Sequence, residues 1–281
     1  MADRKASPLM ITKENSSCRP RFAAIESKYY LHVPVGLKVI GSCNGIICLV
    51  KKDVHCCLWN PFTRHSKELP RFLDNQTAMD EKSQAELAFG FDSISKDYKV
   101  IRFIRPTITT SVAPVLQLYS TNTDSWKEIH VRDTSASRVM CHPKLKFGPV
   151  INGVLYVRHM RQSDVFDFEG SVAVVLRSVP ESSKISLWTL DNSTGGEVFW
   201  TRKFIVHYNL LWTCSYLGRG LFFGKKEARG RTKVLYNNTK KEFKTFPRLA
   251  KKPSAVLKYT ETLASVQGFI PNLSMTSMFY P

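Results

Sequence analysis

The chain reads as an all-β, β-propeller-like protein, a series of hairpins stacked side by side with kelch-like repetition. Three observations carry that reading. A twelve-residue phrase recurs, as LWNPFTRHSKEL at 58–69, LYSTNTDSWKEI at 118–129 and LYNNTKKEFKTF at 235–246. Strand-length apolar runs alternate with turn signals every eight to twelve residues. Segments of helical period are nearly absent.

Each copy of the phrase opens with Leu and an aromatic residue: Leu58-Trp59, Leu118-Tyr119 and Leu235-Tyr236. A small polar residue follows (Asn60, Ser120, Asn237), and further on a Lys (Lys67, Lys127, Lys244). A weaker copy begins at Leu187-Trp188. A strand, a polar turn and a second strand make a hairpin, which cannot bury its apolar face alone. Copies starting 60, 69 and 48 residues apart therefore imply packed β-units.

Taken in order, residues 1–36 show no consistent period, and Ser16-Ser17-Cys18-Arg19-Pro20 breaks any helix. Leu37 to Cys43 and Ile46 to Val50 flank Asn44-Gly45, the strongest two-residue hairpin signal. Val54 to Trp59 follows, and residues 71–85 form a polar connection or a short helix. Leu87 to Phe91, Tyr98 to Ile104 and Val115 to Tyr119 build the second unit. A second Asn152-Gly153 turn leads into Val154 to Val157, whereas Val157 to Phe168 has no strand pattern. Ser171 to Leu176, Ile185 to Leu190, Trp200 to Val206, Gly220 to Gly224 and Lys233 to Tyr236 complete the strands. Trp59, Trp126, Trp188, Trp200 and Trp212 are expected to anchor these units by burial, a binding platform at one of them being the alternative.

Composition narrows the class. A chain of 281 residues buries a large core without disulfides or metal. No apolar leader follows Met1, so the expected compartment is the cytoplasm, with the nucleus as alternative. Seven cysteines in no framework spacing suit a reducing environment. Cys48 is expected opposite Cys56 or Cys57 as a buried thiol pair, without the ligands of a zinc site. Sequons at Asn15, Asn75, Asn192, Asn237 and Asn272 read as turn residues.

The formal charge of +18 is uneven, with thirteen Lys or Arg against two Glu between Arg219 and Lys258. That stretch is either a surface for an acidic partner or nucleic acid, or a solvated face that keeps sheet edges apart. The candidate partner-binding residues are Lys225, Lys226, Arg229 and Arg231, which crowd one turn.

Several of these segments resemble the plant F-box-associated domain. Gly41-Ser42-Cys43-Asn44-Gly45 is similar to its "G-x-C-N-G" opening, and Trp59-Asn60-Pro61-Phe62-Thr63-Arg64 to its "W-N-P-x-T-R/K" turn. Phe89-Gly90-Phe91-Asp92, Asp97-Tyr98-Lys99-Val100-Ile101 and Asp124-Ser125-Trp126 resemble its next repeat. Asn152-Gly153-Val154-Leu155-Tyr156 and Ile185-Ser186-Leu187-Trp188 match later landmarks, in order, so the resemblance covers residues 37–266. Within that family the chain is most similar to the S-locus F-box type.

The resemblance implies a substrate receptor whose F-box docks a Skp-type adaptor and cullin while the β-domain holds a target, a ribonuclease in S-locus members. Two departures modify it. Residues 1–36 lack the helical pattern of an F-box, which puts adaptor docking in doubt, and the short stretch after Tyr156 implies an incomplete blade. The expected organisation is an irregular segment at 1–36, a propeller-like domain at 37–266 and a tail at 267–281.

Enzymatic readings find little support. The seven His residues are scattered without a nucleophile motif, and no phosphate-cradling Gly loop occurs. The expectation is a non-enzymatic, protein-binding domain with no cofactor and no metal. The alternatives are a basic nucleic-acid binder and a truncated relic or decoy of the family.

Overall fold

The computed structural model describes residues 7–13, 29–33, 37–51, 55–73, 84–105, 115–129, 145–151, 154–159, 163–168, 171–177, 184–192, 198–207, 214–218, 220–225, 233–246 and 255–271. Among the described residues every regular element is a strand. In chain order the first six are β1 (Ser7–Lys13), β2 (Tyr29–Val33), β3 (Leu37–Cys43), β4 (Ile46–Lys51), β5 (His55–Asn60) and β6 (His65–Glu68). Next come β7 (Gln84–Asp92), β8 (Asp97–Arg105), β9 (Val115–Ser120), β10 (Ser125–Ile129), β11 (Leu145–Ile151) and β12 (Val154–His159). Then follow β13 (Ser163–Phe168), β14 (Ser171–Arg177), β15 (Lys184–Asn192), β16 (Val198–His207) and β17 (Cys214–Gly218). The last are β18 (Leu221–Lys225), β19 (Lys233–Asn237), β20 (Glu242–Phe246), β21 (Ala255–Tyr259) and β22 (Ile270–Pro271). The chain divides into two compact units, Met1–Val35 with Gln162–Glu261, and Gly36–Arg161 with Thr262–Pro281.

In the unit Gly36–Arg161 with Thr262–Pro281, β3 to β6 form an antiparallel meander to which β22 adds, in the order β22-β6-β5-β4-β3. Strands β7 to β10 form a second meander, and β11 with β12 a two-stranded sheet. The first strands of these sheets lie together, β3 beside β7 and β7 beside β11. Four-stranded meanders with neighbouring first strands are the blade unit of a propeller, and the β11–β12 sheet matches the expected incomplete blade. The core joins the Ile46, Cys48, Cys56 and Leu58 face of the first sheet to Phe89, Val100, Tyr119 and Trp126 of the second.

That packing explains why the repeat keeps two apolar residues in succession. In the first copy Leu58 faces the shared core, and in the second Tyr119 does. Leu58 is fully buried, and its neighbour Trp59 on the opposite face is buried too. A strand covered on both faces needs apolar residues at successive positions, because alternate side chains point to opposite sides.

In the other unit, β13 to β16 and β17 to β20 form two four-stranded meanders. The first strands of the two meanders again lie together, β13 beside β17, and β17 also lies beside β21. An aromatic row crosses the second meander: Tyr216 pairs with Phe222, Phe222 with Tyr236, and Tyr236 with Phe243. Their ring centroids are 5.1, 6.4 and 4.4 Å apart along the row. Such cross-strand pairs contribute roughly 0.2–1 kcal/mol each and fix the register.

The structure corrects several expectations. β1 and β2 lie within the stretch read as irregular; they pair in parallel, and β21 pairs antiparallel on the other side of β1. A parallel pair needs a long crossover, and fifteen residues separate these strands, so no local hairpin signal could mark them. β13 occupies Ser163–Phe168, where no strand was expected, and pairs along its whole length with β14. β7 begins at Gln84, three residues before the expected start.

Candidate protein-binding surface

The repeat is written into the register. Leu58 stands opposite Lys67, Leu118 opposite Lys127 and Leu235 opposite Lys244. Four residues close each hairpin, and the last of them (Arg64, Asp124, Lys241) has φ of 57°, 48° and 57°. Lys96 takes the same left-handed position, at φ 53°, between β7 and β8. A residue there costs about 1 kcal/mol or more unless the loop is otherwise held. Side-chain caps hold it: Asn60 Oδ1 accepts from the Phe62 and Thr63 amides, and Asn237 Oδ1 from those of Thr239 and Lys240. Asp92 Oδ1 does the same for Ile94 and Ser95. At Asn44-Gly45 both residues have positive φ, 46° and 77°, as the Asn-Gly signal requires.

Longer-range polar contacts tie these hairpins down. Asp97 is buried and accepts from the Ser120 hydroxyl at 2.6 Å, the Thr121 hydroxyl at 2.7 Å and the Asn122 amide at 3.1 Å. The first residue of the "D-Y-K-V" segment therefore holds the β9–β10 turn. Lys67, also buried, donates to the Gln267 carbonyl at 2.7 Å and pairs with Asp124 at 2.9 Å. Tyr119 donates to the same Asp124 carboxylate at 2.7 Å. The Lys67 ammonium first, then the Tyr119 hydroxyl, hold the Asp124 carboxyl below its usual range. Trp126 Nε1 donates to the Pro70 carbonyl at 2.9 Å, and Arg102 lies 4.2 Å over the Phe72 ring.

On this fixed frame some large apolar side chains face solvent. Phe62 is 46% exposed and Ile94 89% exposed, each inside a capped turn. Leu263 and Ile270 are also exposed, beside the first sheet, where Asn60 Nδ2 donates to the Thr262 and Ala264 carbonyls. Sequence reasoning passed over Phe62 and Ile94. The available signal was an apolar residue amid turn formers, in Asn60-Pro61-Phe62-Thr63-Arg64 and Asp92-Ser93-Ile94-Ser95-Lys96.

Of the basic candidates, Lys225 closes β18 opposite Lys233, while Lys226, Arg229 and Arg231 lie outside the described residues. The tryptophans divide. Trp59 and Trp126 are buried as expected, but Trp200 is 47% exposed and so is not a core anchor. Trp212 lies outside the described residues. The thiol pair is present with a different register: Cys48 stands opposite Leu58, and Cys56 opposite Val50. The two sulfurs approach diagonally to 3.5 Å as free thiols. Burial, and the neighbouring Cys56, push the Cys48 thiol well up, so it stays protonated and inert. Among the described residues no three His, Cys, Asp or Glu side chains gather in a metal-binding group. Among them, too, no helix is long and apolar enough to cross a membrane.

Meanders of four strands with repeating capped hairpins define a protein of the β-propeller class. The family is settled by comparison: residues 3–165 match the F-box associated beta propeller domain, and the chain belongs to that family. It is 30% identical over 99 residues to F-box protein CPR1 of Arabidopsis thaliana, covering 33% of this chain and 24% of that protein. A putative F-box protein of the same plant is 25% identical over 205 residues, 60% of this chain and 45% of the relative. Another putative F-box protein from it is 33% identical over 89 residues, 31% of this chain and 21% of the relative. The chain thus spans less than half the length of these relatives. No solved structure matches it significantly.

Proposed function

We propose that the chain is a non-enzymatic protein-binding module, the target-recognition part of an F-box type ubiquitin ligase. The family, and the F-box proteins among its relatives, support the class. The observation that carries the binding role is the set of capped hairpins presenting Phe62 and Ile94 to solvent at fixed positions. Exposed apolar side chains on rigid turns bind a partner with little ordering cost. In this reading an F-box, on this polypeptide or another, docks a Skp-type adaptor and cullin, and the β-domain holds the target in the cytoplasm or nucleus. A finer reading, from the S-locus type, makes the target a ribonuclease.

The test is affinity capture on the purified chain, followed by ubiquitination of the captured protein with reconstituted ligase. The expected result is a folded protein that becomes ubiquitinated, with capture weakened at least about tenfold by Phe62→Ser combined with Ile94→Ser. Recovery of the chain alone overturns the proposal. The charge between Arg219 and Lys258 favours one second reading, binding of RNA. That reading requires affinity for RNA to fall steeply between low and physiological salt.

A further inference from the structure

We propose that β16 is a docking edge for an extended acidic polypeptide segment, which adds to the sheet as a further strand. This rests on the protein-binding reading above and gives it a place and a partner chemistry. β16 is the longest described strand, ten residues, and among the described residues it ends the order β13-β14-β15-β16. An end strand offers a row of backbone N–H and C=O groups to another chain.

The side chains on this strand are arranged for contact. Trp200, Arg202 and Ile205 stand opposite Leu190, Trp188 and Ser186, which share one face of β15. They therefore share one face of β16 as well, although their spacing is two and then three residues. A bulge opposite Leu187 and Trp188 makes this possible, since it inserts Lys203 and turns Ile205 to the side of Trp200. That side is the outward one: Trp200 is 47% and Ile205 42% exposed, while Leu187 and Thr189 on the other face are buried. Arg202, also exposed, lies 5.7 Å over the Trp188 ring, which holds its guanidinium in this row.

Charge selects the occupant. Residues 198–207 carry Arg202 and Lys203 and no carboxylate. A second copy of the same edge would meet like charges, which protects against self-pairing. A segment with Glu or Asp opposite Arg202, and apolar residues to either side of it on the same face, pairs with that cation while covering Trp200 and Ile205. Single-stranded nucleic acid fits less well, because Ile205 offers no aromatic face and a phosphate backbone cannot continue the ladder.

The experiment presents the whole chain with a short peptide carrying Val, Glu and Val in turn on one strand face with Thr between them (the Val–Glu peptide), a counterpart with Lys in place of Glu (the Val–Lys peptide), and an oligouridine. Binding is read by tryptophan fluorescence and by amide hydrogen exchange over 198–207. The Val–Glu peptide is expected to slow exchange of alternate β16 amides. It should bind at least about tenfold tighter to the natural chain than to Arg202→Glu. Trp200→Ala, at an exposed site, should weaken it severalfold with the circular dichroism unchanged. Equal or tighter binding of the Val–Lys peptide or oligouridine overturns the inference, as does failure of the Val–Glu peptide to protect β16. Target capture unaffected by the charge reversal sinks this docking edge and leaves the protein-binding reading standing. Peptide binding without any captured target does the reverse.

Discussion

The hairpins β5–β6 and β19–β20 are two copies of one phrase, and they differ in what surrounds the same asparagine. Asn60 and Asn237 cap their turns through two amide bonds each, with the fourth turn residue left-handed in both. Asn60, however, is fully buried, and its Nδ2 bridges the Thr262 and Ala264 carbonyls at 3.0 and 2.9 Å. Asn237 is half-buried, with its Oδ1 bonds directed to its own turn. Local sequence writes the turn, and the surroundings decide whether the same side chain also fastens a distant segment.

Replacing each asparagine by aspartate gives the largest expected separation. Asp retains the capping oxygen but removes the amide donor. Asn60→Asp would place a carboxylate against two carbonyls in a buried site, lowering stability by about 3–5 kcal/mol in chemical denaturation. Asn237→Asp should lie within about 0.5 kcal/mol of the parent. Equal losses at the two positions would contradict the assigned roles.

Tryptophan sharpens the comparison. Trp126→Ala removes a buried ring that contacts Phe72 and Tyr119 and donates to Pro70, an expected loss of about 3–5 kcal/mol. Trp200→Ala should cost less than about 1 kcal/mol, since the ring is half in water. The paired lysines come next. Lys67→Met leaves the Gln267 carbonyl without this donor, for about 2 kcal/mol, whereas Lys127→Met at an exposed position should change stability by less than about 0.5 kcal/mol.

The smallest effect concerns pH. Because its partners hold the Asp124 carboxyl below the unfolded value of 3.8, Asp124 stabilises the fold above that pH and loses the contribution as pH falls through its lower folded value. Asp124→Asn should flatten the acid side of a plot of stability against pH below about 4, modestly, since the side chain is half exposed.

Much of the fold was legible because it repeats: the Leu–Lys register, the Asn44-Gly45 turn and the strands from Leu37 onward follow from residue type and spacing. The missed strands show where such reasoning stops. β1 is held by β2 and β21, partners remote in sequence, so no period within 7–13 announces it. β13 gives no clean period, since Ser163-Asp164-Val165-Phe166-Asp167-Phe168 sets two polar residues before two apolar ones, and its pairing with β14 along its length makes it a strand. The surface was harder to read. Phe62 and Ile94 stand among turn formers, but Trp200 lies in a strand, where its exposure depends on packing and nothing in its local sequence separates it from the buried Trp59 and Trp126.

Two ladders join remote parts of the chain, β1 with β21 and β6 with β22. During synthesis, Asn60 and Lys67 must wait for residues 262–271 to leave the ribosome before their donors find carbonyls. Until then the edge of β6 stands open, so nascent chains would rely on holding factors longer than a protein built from local contacts alone.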